Sequence, residues 1–191
     1  MDEKVVLSRC LAGSYEAFEV LVNKYQAAVL RFAGVILGDR ETARDITQET
    51  FIQAFLNFKL FDTKRSFKTW LYTIAYRKCI DSKRREKLFL NHVLRPNKAG
   101  FRQNKKIINS GRLEDSNLLG PVLQKLSRRE RIAVLLQMND GYSTLEISEV
   151  LQCSESTARV TLFNARRKIS KILEGDKNVW ILQIFVFYPA F

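Results

Sequence analysis

The stretch YSTLEISEVLQCSESTARVTLFNARRKI, Tyr142 to Ile169, decides how the chain is read. It carries two helix patterns, each opened by a serine. Ser143-Thr144-Leu145-Glu146 matches a capping box, in which the serine hydroxyl accepts from the third backbone amide and the glutamate reaches back. Ser154-Glu155-Ser156-Thr157 opens the next helix with serine as the cap. The first pattern predicts burial of Leu145, Ile147, Val150 and Leu151, and the second of Ala158, Leu162, Ala165 and Ile169. Only Gln152-Cys153 lies between them. Such spacing predicts a helix-turn-helix, whose first helix props the second against the DNA major groove. Basic side chains gather late, at Arg159, Arg166, Arg167, Lys168 and Lys171, where they can meet phosphates while the helix start, with Ser154, Ser156 and Thr157, faces bases. A helical hairpin of purely structural purpose has the same apolar pattern, but the charge bias and the short turn favour DNA. Upstream, Ser127-Arg128-Arg129-Glu130 is a second capping box, so three helix starts follow Pro121.

Composition agrees with a nucleic-acid partner. The chain has 191 residues, 46% of them apolar, which suffices for one or two small helical cores and excludes a disordered protein. Lys and Arg outnumber Asp and Glu by 32 to 20, for a net charge of +12. A polyanion is the expected partner, nucleic acid first and an anionic membrane surface second. Cys10, Cys79 and Cys153 show no C-x-x-C spacing, so neither a disulfide framework nor a zinc site is expected, and a reducing cytoplasm is the expected setting. The start MDEKVVLSRC has no basic segment followed by an apolar one, so no signal peptide is expected. His92, the only histidine, sits in a polar stretch and reads as a solvated loop residue. With no nucleophile–base or metal-ligand constellation, neither catalysis nor a cofactor is expected.

The N-terminal half reads as helices. Phe18, Leu21, Val22, Tyr25, Val29, Phe32 and Ile36 recur at three- and four-residue intervals, and Gly38 supplies a stop. Asp39 caps the next helix, whose buried stripe is Ala43, Ile46, Thr50, Phe51, Ala54, Phe55 and Phe58. Asp45, Gln48, Glu49 and Gln53 share another side of it, either an ordinary solvated face or a surface for a partner. From Lys59 to Lys87 the character changes: ten basic side chains face three acidic ones, whereas residues 1–58 carry six against eight. That asymmetry predicts one face for protein and another for nucleic acid. Phe58, Phe61, Phe67, Trp70, Tyr72 and Tyr76 are interleaved with those charges; some should be core, and some could stack on an extruded base.

Residues 88–120 lose helical periodicity and stay basic through Arg95, Lys98, Arg102, Lys105, Lys106 and Arg112, which predicts a flexible cationic linker. After Gly175 the chain ends in VWILQIFVFYPAF, too short to span a bilayer as a helix. It reads equally as a segment packed on the preceding domain, as a docking or membrane-surface segment, or as a non-native end. The expected fold is all-α, with helical domains at 1–87 and 121–174 joined by a linker at 88–120 and followed by an apolar tail at 175–191.

From about Tyr15 to Leu173 the chain resembles a sigma-70 family factor of the extracytoplasmic-function (ECF) group. ARDITQETFIQAF resembles the core-polymerase-binding segment, and SFKTWLYTIAYRKCIDSKRR the promoter-melting and minus-ten-recognition helix. LSRRERIAVLLQMNDGYSTLEISEVLQCSESTARVTLFNARRKI resembles the fourth region, which binds the minus-thirty-five element. The resemblance implies that Asp45, Gln48, Glu49 and Gln53 contact RNA polymerase core. It implies that Phe61, Lys64, Arg65, Lys68, Trp70, Tyr76, Arg77, Lys78, Arg84 and Arg85 bind and melt minus-ten DNA, the loop from Lys59 to Ser66 holding an extruded base. Ser154, Ser156, Thr157, Arg159, Arg166 and Arg167 are then the minus-thirty-five contacts. It further implies an anti-sigma factor partner, often membrane-bound, with the free factor a monomer in the cytoplasm. Arg77 stands where the family commonly has Asn, and Val160, Thr161, Phe163 and Asn164 replace small, basic or polar residues; Arg159 and Arg166 match. A stand-alone helix-turn-helix regulator, for which the acidic face would be idle, is the alternative from another functional class.

Overall fold

The computed structural model describes residues 2–93 and 119–173, which form two compact helical units. The central part of the expected linker and the apolar tail lie outside the described residues. Among those described there is no strand.

The first unit opens with α1 (Glu3–Leu11), capped by the Asp2 carboxylate, which accepts from Lys4 N at 3.1 Å. This helix lies outside the expected elements, although its buried residues Val6, Leu7 and Cys10 have helical spacing. Helix α2 (Tyr15–Leu37) is the long core element: Phe18, Leu21, Tyr25, Val29, Phe32 and Ile36 are buried as expected, and Val22 is half-buried. Its length and composition would suit a membrane span, but its apolar stripe is covered by α1, by α3 (Arg40–Leu56) and by α4 (Phe67–Val93). Gly38 ends α2 at φ 74°, a left-handed conformation that strains any residue with a Cβ. Asp39 then starts α3, its Oδ2 accepting from Thr42 N at 2.7 Å.

A short 3-10 turn at Phe58–Leu60 and a loop lead into α4. Helix α4 continues through Val93, past the expected domain end at 87, so His92 lies on a helix rather than in a loop.

The second unit contains α5 (Leu119–Gln124), α6 (Arg128–Asp140), α7 (Thr144–Leu151) and α8 (Glu155–Leu173). Both capping boxes form. Ser127 N donates to Glu130 Oε2 at 2.8 Å and Ser143 N to Glu146 Oε2 at 2.9 Å, while each serine hydroxyl accepts from the glutamate amide at 3.3 Å. Gly141, at φ 65°, closes α6. Ala158, Leu162, Ala165 and Ile169 are buried as expected; on α7, Leu145 is exposed and Ser148 takes the fourth buried place. The exchange is geometric, because at about 100° per residue Leu145 lies on roughly the opposite side of the helix from Ile147, whereas Ser148 falls beside Leu151. Val122, Leu126, Val134, Ala165 and Ile169 form one core cluster, tying α5 and α6 to α8.

Candidate nucleic-acid and polymerase interface

Of the α3 residues expected to contact polymerase, Asp45 and Gln48 are exposed and Glu49 and Gln53 half-buried. The same face includes two residues that sequence reasoning missed, Ile52 at 59% and Leu56 at 70% exposure. Spaced at three and four residues, positions 45, 49, 52 and 56 share one stripe of a helix. Polarity alone groups Asp45, Gln48, Glu49 and Gln53; the apolar members of the face show only from their exposure. Beside it Phe55 stacks on the exposed Tyr15 ring at 4.9 Å between centroids. The surface is therefore an apolar strip flanked by carboxylates and amides, suited to a partner that is both apolar and basic.

The aromatic cluster is a platform more than a stacking surface. Phe58, Phe67 and Tyr72 are buried, and Phe61, expected among the melting residues, is only 5% exposed. Its ring packs edge-on against Phe67 at 5.6 Å and tilted against Trp70 at 5.1 Å. Phe61 is therefore a core residue in this conformation, because a ring in that position excludes more water against three neighbours than against solvent. Trp70 remains half-buried, with one side on Phe58, Phe61 and Phe67.

Trp70, Arg77 and Arg84 are spaced by seven residues and share one face of α4, at about 100° per residue. Lys68, Tyr76 and Lys78 lie off that face. Lys78 Nζ donates to Glu49 Oε2 at 3.1 Å, so this expected DNA ligand is paired across α3–α4 with an expected polymerase ligand. Arg84 and Arg85 are exposed. Lys64 and Arg65 are exposed on a turn held by Asp62, whose Oδ1 accepts from Lys64 N and whose carbonyl accepts from Arg65 N, both at 2.9 Å.

The turn of the second unit is a helix-turn-helix. Gln152 takes the left-handed conformation at φ 52°, and Cys153 N donates to Ser148 O at 3.0 Å, reversing the chain between α7 and α8. Ser154 Oγ is engaged at the helix start: it accepts from Thr157 N at 3.2 Å and bonds the Ser156 and Thr157 hydroxyls. Exposed along α8 are Ser156, Thr157, Arg159, Val160, Phe163 and Arg167. Arg159 pairs with Glu155 one turn back, at 2.9 Å. Arg166 is anchored instead, donating to Gln137 Oε1 of α6 at 2.9 Å. Lys168 Nζ reaches both oxygens of Glu130 at 2.8 Å. Among the described residues no group of His, Cys, Asp and Glu could hold a metal ion. Burial pushes the Cys79 thiol up to about 12, so it stays protonated and unreactive at neutral pH.

A helix-turn-helix unit, together with a helical unit that lines up an aromatic and basic face, defines an all-α DNA-binding transcription factor. The comparisons make the class specific. Residues 21–89 match the family model of sigma-70 region 2, and residues 117–169 that of sigma-70 region 4. The chain is similar to the ECF RNA polymerase sigma factor SigW of Bacillus subtilis, 30% identical over 171 residues covering 84% of this chain and 91% of that protein. It is also similar to the RNA polymerase sigma-H factor of Pseudomonas aeruginosa, 27% identical over 91% of this chain and 94% of that one. Among solved structures, CnrH in complex with the cytosolic domain of CnrY shares the fold at a TM-score of 0.64 and 24% identity, over 92% of this chain and 99% of that one. The chain belongs to the sigma-70 family, in its extracytoplasmic-function group, and is a transcription initiation factor with no enzymatic activity of its own.

Proposed function

We infer that the chain binds bacterial RNA polymerase core, carries it to promoters, and nucleates strand opening, with polymerase supplying all the chemistry. Residues 1–87 take the polymerase and minus-ten roles and residues 121–174 the minus-thirty-five role. The carrying observation is that an exposed acidic and apolar stripe on α3 and an aromatic–basic face on α4 occur in one helical unit, in a chain whose other unit is a helix-turn-helix. Polymerase contacts are assigned to Asp45, Gln48, Glu49 and Gln53, extended by Ile52 and Leu56. Trp70, Arg77, Arg84 and Arg85, with Lys64 and Arg65 on the loop, are assigned to minus-ten DNA. Ser156, Thr157, Arg159 and Arg167 are assigned to the upstream element, while Ser154 and Arg166 act by fixing the helix that presents them.

The protein acts in the cytoplasm and is held inactive by an anti-sigma factor. This regulation is supported by the shared fold with a solved sigma factor RpoE from Bartonella quintana, in complex with the anti-sigma factor NepR, at a TM-score of 0.64 and 19% identity over 84% of this chain.

The test is in vitro transcription from a promoter library with purified core polymerase, comparing the wild-type chain with Asp45→Arg/Glu49→Arg. Defined start sites for the wild type, with neither transcription nor core binding for the variant, support the function. DNA binding without any directed initiation would replace it with a stand-alone regulator.

A further inference from the structure

The outward side of α8 is not uniformly polar. Val160 is 58% and Phe163 is 63% exposed, and with Ser156 and Arg167 they form a ridge. At about 100° per residue these four positions fall within roughly 60° of one another. That ridge lies opposite the buried stripe Ala158, Leu162, Ala165 and Ile169, so it is the part of the helix that projects furthest from the unit's core. Two features make DNA its occupant. Polar and basic side chains accompany the apolar pair, Ser156 and Thr157 at the helix start and Arg159 and Arg167 further along, a pattern that suits the phosphates bordering a groove. It is also narrow: two side chains fall far short of the area a stable protein interface buries.

In a major groove the apolar group available to such side chains is the thymine 5-methyl, which alone among the groove-edge groups rewards contact with an aliphatic or aromatic residue. We propose that Val160 and Phe163 read thymine methyl groups in the upstream promoter element, making them specificity determinants of this chain. The proposal rests on the assignment of α8 to that element. Phe163 supplies a broad ring face that can cover one methyl or two stacked ones, and Val160 sits one turn closer to the helix start. Ser156 and Arg159 supply the polar contacts that set the register. Substituting these two positions would change which bases are preferred, whereas substituting Arg167 would weaken binding to all sequences alike.

The experiment uses the full chain assembled with core polymerase. A duplex pool randomised over the upstream element is selected for holoenzyme binding, and the enriched duplex is resynthesised with deoxyuridine in place of each thymine in turn, deleting one methyl at a time. The expected result is a loss of about fourfold in affinity at one or two neighbouring thymines, the effect of burying one methyl-sized group. In Phe163→Ala or Val160→Ala that loss should vanish at the thymine each residue touches. Both substitutions are at exposed helix positions, where alanine is the better helix former, so folding is preserved. A flat deoxyuridine scan in a duplex whose binding still falls with Ser156→Ala or Arg159→Ala would overturn the methyl-reading role while leaving the upstream assignment of α8 standing. A pool with no enriched upstream sequence, from a holoenzyme that still binds core normally, would remove both.

Discussion

The Glu130 carboxylate closes the capping box of α6 and also receives both bonds from Lys168 of α8, so one side chain fixes a helix start and an interhelical contact. Burial alone would raise its pKa, but the bonds from Lys168 and from Ser127 outweigh it and hold the carboxyl below its ordinary value of 4.5. A depressed folded-state pKa means that the stabilisation is present above that value and is lost as pH falls through it toward the folded-state pKa. The protection factors of the α6 and α8 amides, taken against the intrinsic exchange rate at each pH, should therefore fall as the solution is acidified below about pH 4.5, and Glu130→Gln should remove that acid-linked component. The substitution should cost about 1–3 kcal/mol at neutral pH, because Lys168 keeps only a neutral partner. At the same scale, Phe67 is 1% exposed and touches Tyr25, Phe58, Phe61 and Trp70. Denaturant unfolding of Phe67→Ala should show a loss of about 3–5 kcal/mol. Phe163→Ala, on the surface, should stay within about 0.5 kcal/mol. No count of aromatic residues separates these two phenylalanines; their neighbours do.

At the scale of elements, the helix starts were legible because a cap is a local event. Asp39, Ser127, Ser143 and Ser154 each bond the amide three residues on, and that geometry needs nothing beyond the adjoining residues. Ser143→Ala should cost about 1 kcal/mol, read from the thermal midpoint of the full chain, by orphaning the amide of Glu146. The turn between α7 and α8 holds a correctable strain: Gln152 occupies the left-handed region at φ 52°. Gln152→Gly should stabilise the chain by about 0.5–1 kcal/mol, checked by the same melting measurement, because glycine adopts that conformation without a Cβ penalty. Less legible was the continuation of α4 to Val93. Its exposed last turns carry Leu88, Phe89 and Leu90 without the spacing of a buried stripe, so periodicity faded while the helix went on.

For the whole molecule, the net charge of +12 implies that DNA binding is strongly salt-dependent. Removing one phosphate-bound cation should lower the slope of log affinity against log salt by about 1, so Arg84→Ala and Arg167→Ala should each do so on a promoter duplex. Ile52→Asp should leave that slope unchanged and weaken core-polymerase binding at least about tenfold, because it buries a charge in the apolar strip between Asp45 and Leu56. The two measurements separate the protein-binding face from the DNA-binding faces.

The amino-acid order alone determined the all-α class, the helix-turn-helix and the acidic face of α3, since caps, periodicity and charge blocks all act over a few residues; the family was legible separately, in the likeness of three ordered segments to sigma-70 regions. Only the tertiary structure decided which side chains those faces keep. It turned Phe61 inward, paired Lys78 with Glu49, anchored Arg166 on Gln137, and left Ile52, Leu56, Val160 and Phe163 outside. The reason is physical: burial and pairing depend on what a neighbouring helix presents where the two meet, and for both of those pairs that neighbour lies 29 residues away along the chain.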